Sequence, residues 1–360
     1  MVGIFDDMAI TKLTVEEFLL LAKENPILDV RSPVEFTHAH IPNAFSMPLF
    51  TDEERKIVGT AYKQESKQKA IKIGLKYFGT KMVKMVERTE EITTVFANSN
   101  KAYSSEKPIV LVHCWRGGMR SAGVAWMLDL YGFQVYTLIG GYKAYRNWVL
   151  KQFEVAYPIR ILGGNTGSGK TEVLQEMHKM GATVIDLEGL AHHKGSAFGS
   201  MGQLPQPTQE QFENLLAAAL THQPFHNNIL WLEDESQRIG EVNIPPAFFK
   251  QMRETNVYFI EIPFEERLDF ILTHYGKFEK ELLINAIIRI KKRLGGLETK
   301  TAVNALIEED VKACFDVLLK YYDRQYQKGL MKREQLKDRL TKVDCAMVNA
   351  SLNAQTLLSI

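Results

Sequence analysis

Apolar residues in this 360-residue chain follow two patterns. Some form short continuous runs bounded by glycine or charge, and others return every three or four positions over longer stretches. The runs predict strands at 26–30, 109–112, 134–138, 159–162, 183–185, 229–232 and 257–262. Helical spacing predicts helices over 122–130, 142–153 and 172–180, and nearly everywhere from Phe264 onward. Thr14-x-x-Glu17 reads as a capping box opening a helix that runs through Leu21. Between the second and third groups of elements, residues 51–107 are rich in lysine. Ile71, Leu75, Phe78, Met82, Met85 and Val86 are helically spaced there, so the stretch predicts a helical insertion. Strands alternating with helices imply parallel sheets covered on both faces. The length suits two such domains and a helical appendix.

One strand ends at a reactive-looking loop. Ile109–Val112 runs into His113-Cys114-Trp115-Arg116-Gly117-Gly118-Met119-Arg120-Ser121, and a helix follows. Gly117 and Gly118 let the backbone turn its amides inward, and the helix adds its positive end. Arg116 and Arg120 add permanent cations. Each feature favours thiolate over thiol, so Cys114 is expected to have a lowered pKa and to act as a nucleophile. The same amides, with Arg116, Gly117, Gly118, Met119 and Arg120, form a cradle for a tetrahedral oxyanion. Cys-x5-Arg is the spacing of cysteine phosphatases, whereas sulfur-transferring rhodaneses share the architecture with a loop usually one residue shorter. The loop alone leaves both open.

A second loop follows the 159–162 strand: Gly164-Asn165-Thr166-Gly167-Ser168-Gly169-Lys170-Thr171, leading into a helix. This is a complete phosphate loop in its strand–loop–helix context. Its amides cradle phosphates, Lys170 neutralises them, and the Thr171 hydroxyl is suited to ligating magnesium. Downstream, Asp186 ends one strand, and Glu233, Asp234 and Glu235 end another. With His193 from the loop expected over 187–202, these are candidate metal-supporting or acid–base residues. Adjacent His192 and His193 do not make a metal centre, because no partners stand at ligand spacing.

Composition narrows the setting. Net charge is +1 and hydrophobic content 45%, which supports real cores and excludes a generally acidic or basic protein. Three cysteines (Cys114, Cys314, Cys345) indicate no disulfide framework and suggest a reducing cytoplasm. The start has neither a basic end nor an apolar core of signal type, and no apolar run approaches a membrane span. Residues 277–342 hold 16 lysines and arginines against 10 acids, and the insertion carries Lys63, Lys67, Lys69, Lys72, Lys76, Lys81 and Lys84. Both suit an RNA backbone, and both suit ordinary solvated helices.

Two further segments carry a resemblance. Asp29-Val30-Arg31-Ser32-Pro33-x-Glu35-Phe36 and His40-Ile41-Pro42-Asn43-Ala44, with the cysteine loop, look like rhodanese signatures, in which Asp29 and Arg31 serve structure. The rhodanese-like domain fused to a phosphate-loop domain, with Val58–Lys63, Asp186–Gly199 and Glu233–Ser236, resembles the tRNA 2-selenouridine synthase family over roughly residues 10–260. The fold class expected is α/β: a rhodanese-like domain over 1–153 with a helical insertion at about 51–107. A P-loop NTPase-like parallel α/β domain over 154–270 follows, then a helical, modestly basic region over 271–360.

The resemblance implies replacement of sulfur by selenium at the wobble 2-thiouridine of tRNA, expected for the lysine, glutamate and glutamine tRNAs. Geranyl diphosphate first alkylates the sulfur. Selenophosphate then supplies selenium, and the geranyl-thiol leaves. On this reading both are co-substrates, no organic cofactor is tightly bound, and an enzyme supplying selenophosphate is a partner. The phosphate loop would hold the diphosphate, and Cys114 would take selenium from a selenophosphate gripped by Arg116 and Arg120. Trp231, Phe248, Phe249 and Phe198 are guesses for the wall of a geranyl pocket. The rivals are a cysteine phosphatase joined to a small-molecule kinase, and a nucleotide-gated RNA-binding module in which Cys114 senses redox state.

Overall fold

A computed structural model describes residues 10–99, 107–222, 229–333 and 336–360. The chain divides into two compact units, 1–151 and 152–360.

The first unit contains β1 (Thr11–Leu13), α1 (Val15–Leu21), β2 (Ile27–Asp29), α2 (Pro33–His38), β3 (Phe45–Ser46), α3 (Asp52–Gln64), α4 (Lys67–Gly79) and α5 (Met82–Ser99). It closes with β4 (Ile109–His113), α6 (Met119–Tyr131), β5 (Gln134–Leu138) and α7 (Gly141–Gln152). The strands form a parallel sheet ordered β1-β5-β4-β2-β3, with the fully buried β2 and the nearly buried β4 at its centre. Thr14 caps α1 as predicted: its hydroxyl accepts the Glu17 amide at 3.3 Å, and the Glu17 carboxylate accepts the Thr14 amide at 2.9 Å. The insertion is three helices, α3 to α5. Phe78, Met85 and Ile92 from them join Val110, Val112 and Val124 in one core, so the excursion is packed on the domain.

The second unit contains β6 (Ile159–Gly164), α8 (Lys170–Lys179), β7 (Thr183–Val184), α9 (Leu187–Ala191), α10 (Gln209–His222) and β8 (Leu230–Glu233). A small antiparallel pair follows, β9 (Arg238–Ile239) and β10 (Val242–Asn243), then α11 (Pro246–Arg253) and β11 (Asn256–Glu261). The remainder is α12 (Phe264–Tyr275), α13 (Lys280–Leu294), α14 (Gly296–Ile307), α15 (Val311–Met331), α16 (Leu336–Arg339), β12 (Leu340–Asp344) and α17 (Ala350–Leu358). Its parallel sheet is ordered β12-β11-β6-β8-β7.

Two local expectations change. The region after Phe264 is not wholly helical, because β12 pairs with β11 from Val257↔Leu340 to Glu261↔Asp344 as an edge strand. Only Val343 of β12 is buried, so its sequence has no apolar run to announce it. The loop expected at 187–202 begins as the short helix α9, capped by Asp186, whose carboxylate accepts the Gly189 amide at 2.7 Å. No helix of the described residues is long and apolar enough to cross a membrane.

Candidate functional site

In the first unit the cysteine loop joins β4 to α6, as its strand–glycine–helix sequence requires. Gly117 has φ +63°, a conformation that side chains resist. The start of α7 folds back onto the loop, where the Tyr142 and Lys143 amides donate to the Cys114 and Trp115 carbonyls at 2.8 and 3.0 Å. Gly141 is required by this closeness, because a Cβ there would strike the Cys114 carbonyl.

Cys114 Sγ lies 3.2 Å from the Ser121 hydroxyl, and the residue is only 3% exposed. Burial works against its thiolate. The Ser121 hydroxyl and amide, the Arg120 charge and the Arg116 amide outweigh it, so the thiol pKa lies below its ordinary value. Arg120 Nη1 donates to Glu35 Oε2 at 2.8 Å, while Arg116, Gly117, Gly118 and Met119 stand exposed. Arg31 and Asp29 are a buried pair at 2.6 Å, with the Arg31 guanidinium 3.8 Å above the Tyr142 ring and also donating to the Ala39 carbonyl at 2.7 Å. They are architecture, as read.

In the second unit the phosphate loop joins β6 to α8. Gly167 and Gly169 take φ +80° and +70°. Lys170 Nζ donates to the Gly164 carbonyl at 3.1 Å, and Arg267, paired with Asp323 at 2.8 Å, supports the loop by donating to the Thr166 carbonyl at 2.9 Å. The loop opens into a cavity of about 680 Å³.

Gly164 and Thr166 through Thr171 line that cavity, whereas Asn165 faces another, smaller hollow beside Glu261 and Asp344. The acids separate into two groups. Carboxylate oxygens of Glu188, Glu233 and Glu235 lie within 4.8 Å of one another, and Thr171 Oγ1 lies 3.4 Å from Glu188. Burial pushes all three carboxyls above their ordinary pKa; neighbouring glutamates add to the rise at Glu188 and Glu233, and Lys170 opposes it at each. Glu233 is 1% exposed, and its Oε1 has no hydrogen-bond partner. Crowded carboxylates, one buried and two half-buried, beside a hydroxyl fit a hard divalent cation as a donor set. Glu188 is the residue sequence reasoning missed as a site member. Its one signal was a place in the Asp186–Gly199 segment.

Asp234 belongs to the other group. It accepts from Arg253 at 2.6 Å, Arg333 at 2.7 Å and the Tyr326 hydroxyl at 2.6 Å. Despite burial, those partners hold its carboxyl below the ordinary range, so it lines the cavity already paired and braces its wall. Asp186 caps α9 and does not line the cavity. Nor does His193, whose ring is packed so that a Cβ on Gly199 or Gly240 would meet it at 2.7 Å.

Much of the cavity lining is apolar. Phe198, Phe249, Phe270, Ile271, Phe315, Leu318 and Leu319 line it, with Tyr275 and Tyr322. Of the four aromatic guesses, Phe198 and Phe249 are there. Trp231 and Phe248 are buried elsewhere and are 3% and 0% exposed.

Fold and loops together define a rhodanese-like domain joined to a P-loop domain. Residues 14–147 match the rhodanese-like domain family, and residues 157–356 match the tRNA 2-selenouridine synthase AAA domain family. A tRNA 2-selenouridine synthase of Shewanella piezotolerans is 37% identical over 91% of this chain and 94% of its own. One from Shewanella loihica is 36% identical over 87% and 89%, and one from Hydrogenovibrio crunogenus 33% identical over 88% and 92%. The chain belongs to the tRNA 2-selenouridine synthase family.

Proposed function

We propose that this enzyme replaces sulfur by selenium at the wobble 2-thiouridine of tRNA, expected for the lysine, glutamate and glutamine tRNAs, through geranylation and then selenation. The family membership supports the outcome. One observation carries the route: the phosphate loop opens into a cavity that many aromatic and aliphatic side chains also line. A diphosphate carrying a hydrocarbon tail matches both kinds of lining, and geranyl diphosphate is such a molecule.

In the first step the loop amides and Lys170 bind the diphosphate. The charge that develops on the leaving group is met by donors already in place. Phe270, Phe315 and Leu318 hold the tail and exclude water from the electrophilic carbon. The thiocarbonyl sulfur attacks that carbon and diphosphate departs. Glu188, Glu233, Glu235 and Thr171 would hold magnesium, which supplies further positive charge to the leaving group when bound.

In the second step the cysteine loop binds the selenophosphate oxygens through Arg116, Arg120 and its amides. The Cys114 thiolate attacks phosphorus, selenium leaves as selenide, and water then releases phosphate from the cysteine. Selenium enters at carbon 2 of the base, and the geranyl-thiol leaves with the sulfur. An enzyme that makes selenophosphate is the corresponding partner.

Equilibrium binding tests the route. Geranyl diphosphate should bind at least about tenfold more tightly than ATP or pyrophosphate, a margin of about 1.4 kcal/mol from the apolar wall. Lys170→Ala should weaken all three ligands. Tighter binding of ATP than of geranyl diphosphate would overturn the assignment of this cavity.

A further inference from the structure

The cation expected to grip an oxyanion in the cysteine loop is already engaged. Arg120 Nη1 stands 2.8 Å from Glu35 Oε2, and Arg55 Nε of the inserted helix α3 approaches the same oxygen at 3.8 Å. Glu35 is not a loose counter-ion. The same Oε2 accepts the Ser32 amide at 3.1 Å, closing the capping box of α2, so the carboxylate is fixed to a helix start. Arg120 is therefore held by one edge of its guanidinium, and its remaining N–H groups stay available for a second acceptor. The group is half-buried, with Arg120 and Glu35 each 19% exposed, and Arg55 is more open at 42%. One carboxylate between two guanidiniums leaves a net single positive charge on this trio, in addition to that of Arg116.

We propose that Glu35 is the positioning residue for Arg120 in oxyanion binding at the cysteine loop, and that Arg55 of the insertion restores the positive charge Glu35 removes. The proposal rests on the reading of that loop as an oxyanion site. It also gives the inserted helices a part in the site: α3 brings a cation to a loop 60 residues further along the chain, in addition to packing on the core.

Simple charge counting and positioning predict opposite signs, which makes the proposal testable. If Glu35 only diluted the positive field, its removal would strengthen anion binding. If it positions Arg120, its removal weakens anion binding although net charge rises. The probe is inorganic phosphate, and the readout is its protection of Cys114 from iodoacetamide in the full-length protein. Glu35→Ala should weaken protection roughly fivefold or more, about the value of one well-oriented charge-assisted contact. Glu35→Gln, which keeps an acceptor for Arg120, should recover part of that loss. Arg55→Ala should weaken protection by a smaller factor, and Arg55→Lys should restore it. Ser32→Ala, which removes the α2 cap hydroxyl but keeps the amide that holds Glu35, should lower the melting temperature while leaving protection close to wild type, separating positioning from fraying of α2.

Protection that is unchanged or stronger in Glu35→Ala would overturn the role of Glu35. Unchanged protection in Arg55→Ala would overturn the role of Arg55. A wild-type protein that phosphate does not protect at all would overturn the oxyanion reading of the loop, and the proposal with it.

Discussion

Both units place a glycine-bearing loop between a buried parallel strand and a helix, yet the two loops meet different surroundings. The cysteine loop is closed by its own neighbours. The α7 amides cap its carbonyls, Glu35 holds Arg120, and Cys114 is 3% exposed. The phosphate loop opens instead into a cavity of about 680 Å³, beside three carboxyl groups that no arginine among the described residues pairs. On the proposed function, the same local device serves a small anion with one reactive atom in the first unit and a larger ligand, part charged and part apolar, in the second. What differs is side-chain context supplied from far along the chain.

The comparison can be broken at several levels. The largest effect is expected at the buried pair beneath the cysteine loop. Asp29 is fully buried, and against that burial His113 and Arg31 hold its pKa below the ordinary carboxylate value. Arg31→Leu strands that charge and should cost about 3–5 kcal/mol in denaturant unfolding of the first unit. The sign of the linkage follows. Because the folded Asp29 pKa is lowered, its contribution to stability is present above the unfolded value near 3.9 and is lost as pH falls through the folded value.

Next in size, Lys170→Ala should slow geranylation by about 10²–10³-fold, the usual cost of removing one preorganised donor from a developing anion. Iodoacetamide labelling of Cys114 should not change in the same variant. A smaller effect is expected at the apolar wall: Phe270→Ala should raise KM for geranyl diphosphate roughly tenfold while leaving inhibition by pyrophosphate within about twofold. An equal loss for both ligands would place Phe270 in general folding of the cavity. The smallest effect concerns Ser121→Ala. Loss of its hydrogen bond should move the pH midpoint of Cys114 alkylation upward, because the hydroxyl favours the thiolate that reacts. An unmoved midpoint would assign the lowered pKa to Arg120 and the loop amides alone.

Much of this architecture could be read from the chain because its signals are local. Glycines at fixed offsets between an apolar run and a helical pattern marked both loops, and Thr14 with Glu17 marked a helix start. The parts that escaped depend on long-range pairing. Asp234 looked like a metal-supporting acid beside Glu233, but its partner Arg333 lies 99 residues away. Nothing in its own segment distinguished it from Glu235. Phe270, Phe315 and Leu318 carry the same spacing as any core-facing helix residue, so their lining of a cavity had no sequence mark. Glu188 sits in a turn of helix that is only five residues long, within a segment too polar and glycine-rich to read as helix. β12 escaped for the complementary reason, since an edge strand with one buried residue has no apolar run.

The central claim is a division of labour, with alkylation at the phosphate loop and selenium transfer at the cysteine loop. Mass spectrometry of nucleosides from a 2-thiouridine tRNA incubated with geranyl diphosphate, magnesium and selenophosphate tests it most directly. Wild type should yield 2-selenouridine, Cys114→Ser should accumulate the geranylated nucleoside, and Lys170→Ala should leave 2-thiouridine untouched. Geranylated nucleoside from Lys170→Ala at the wild-type rate, or 2-selenouridine from Cys114→Ser, would contradict the account.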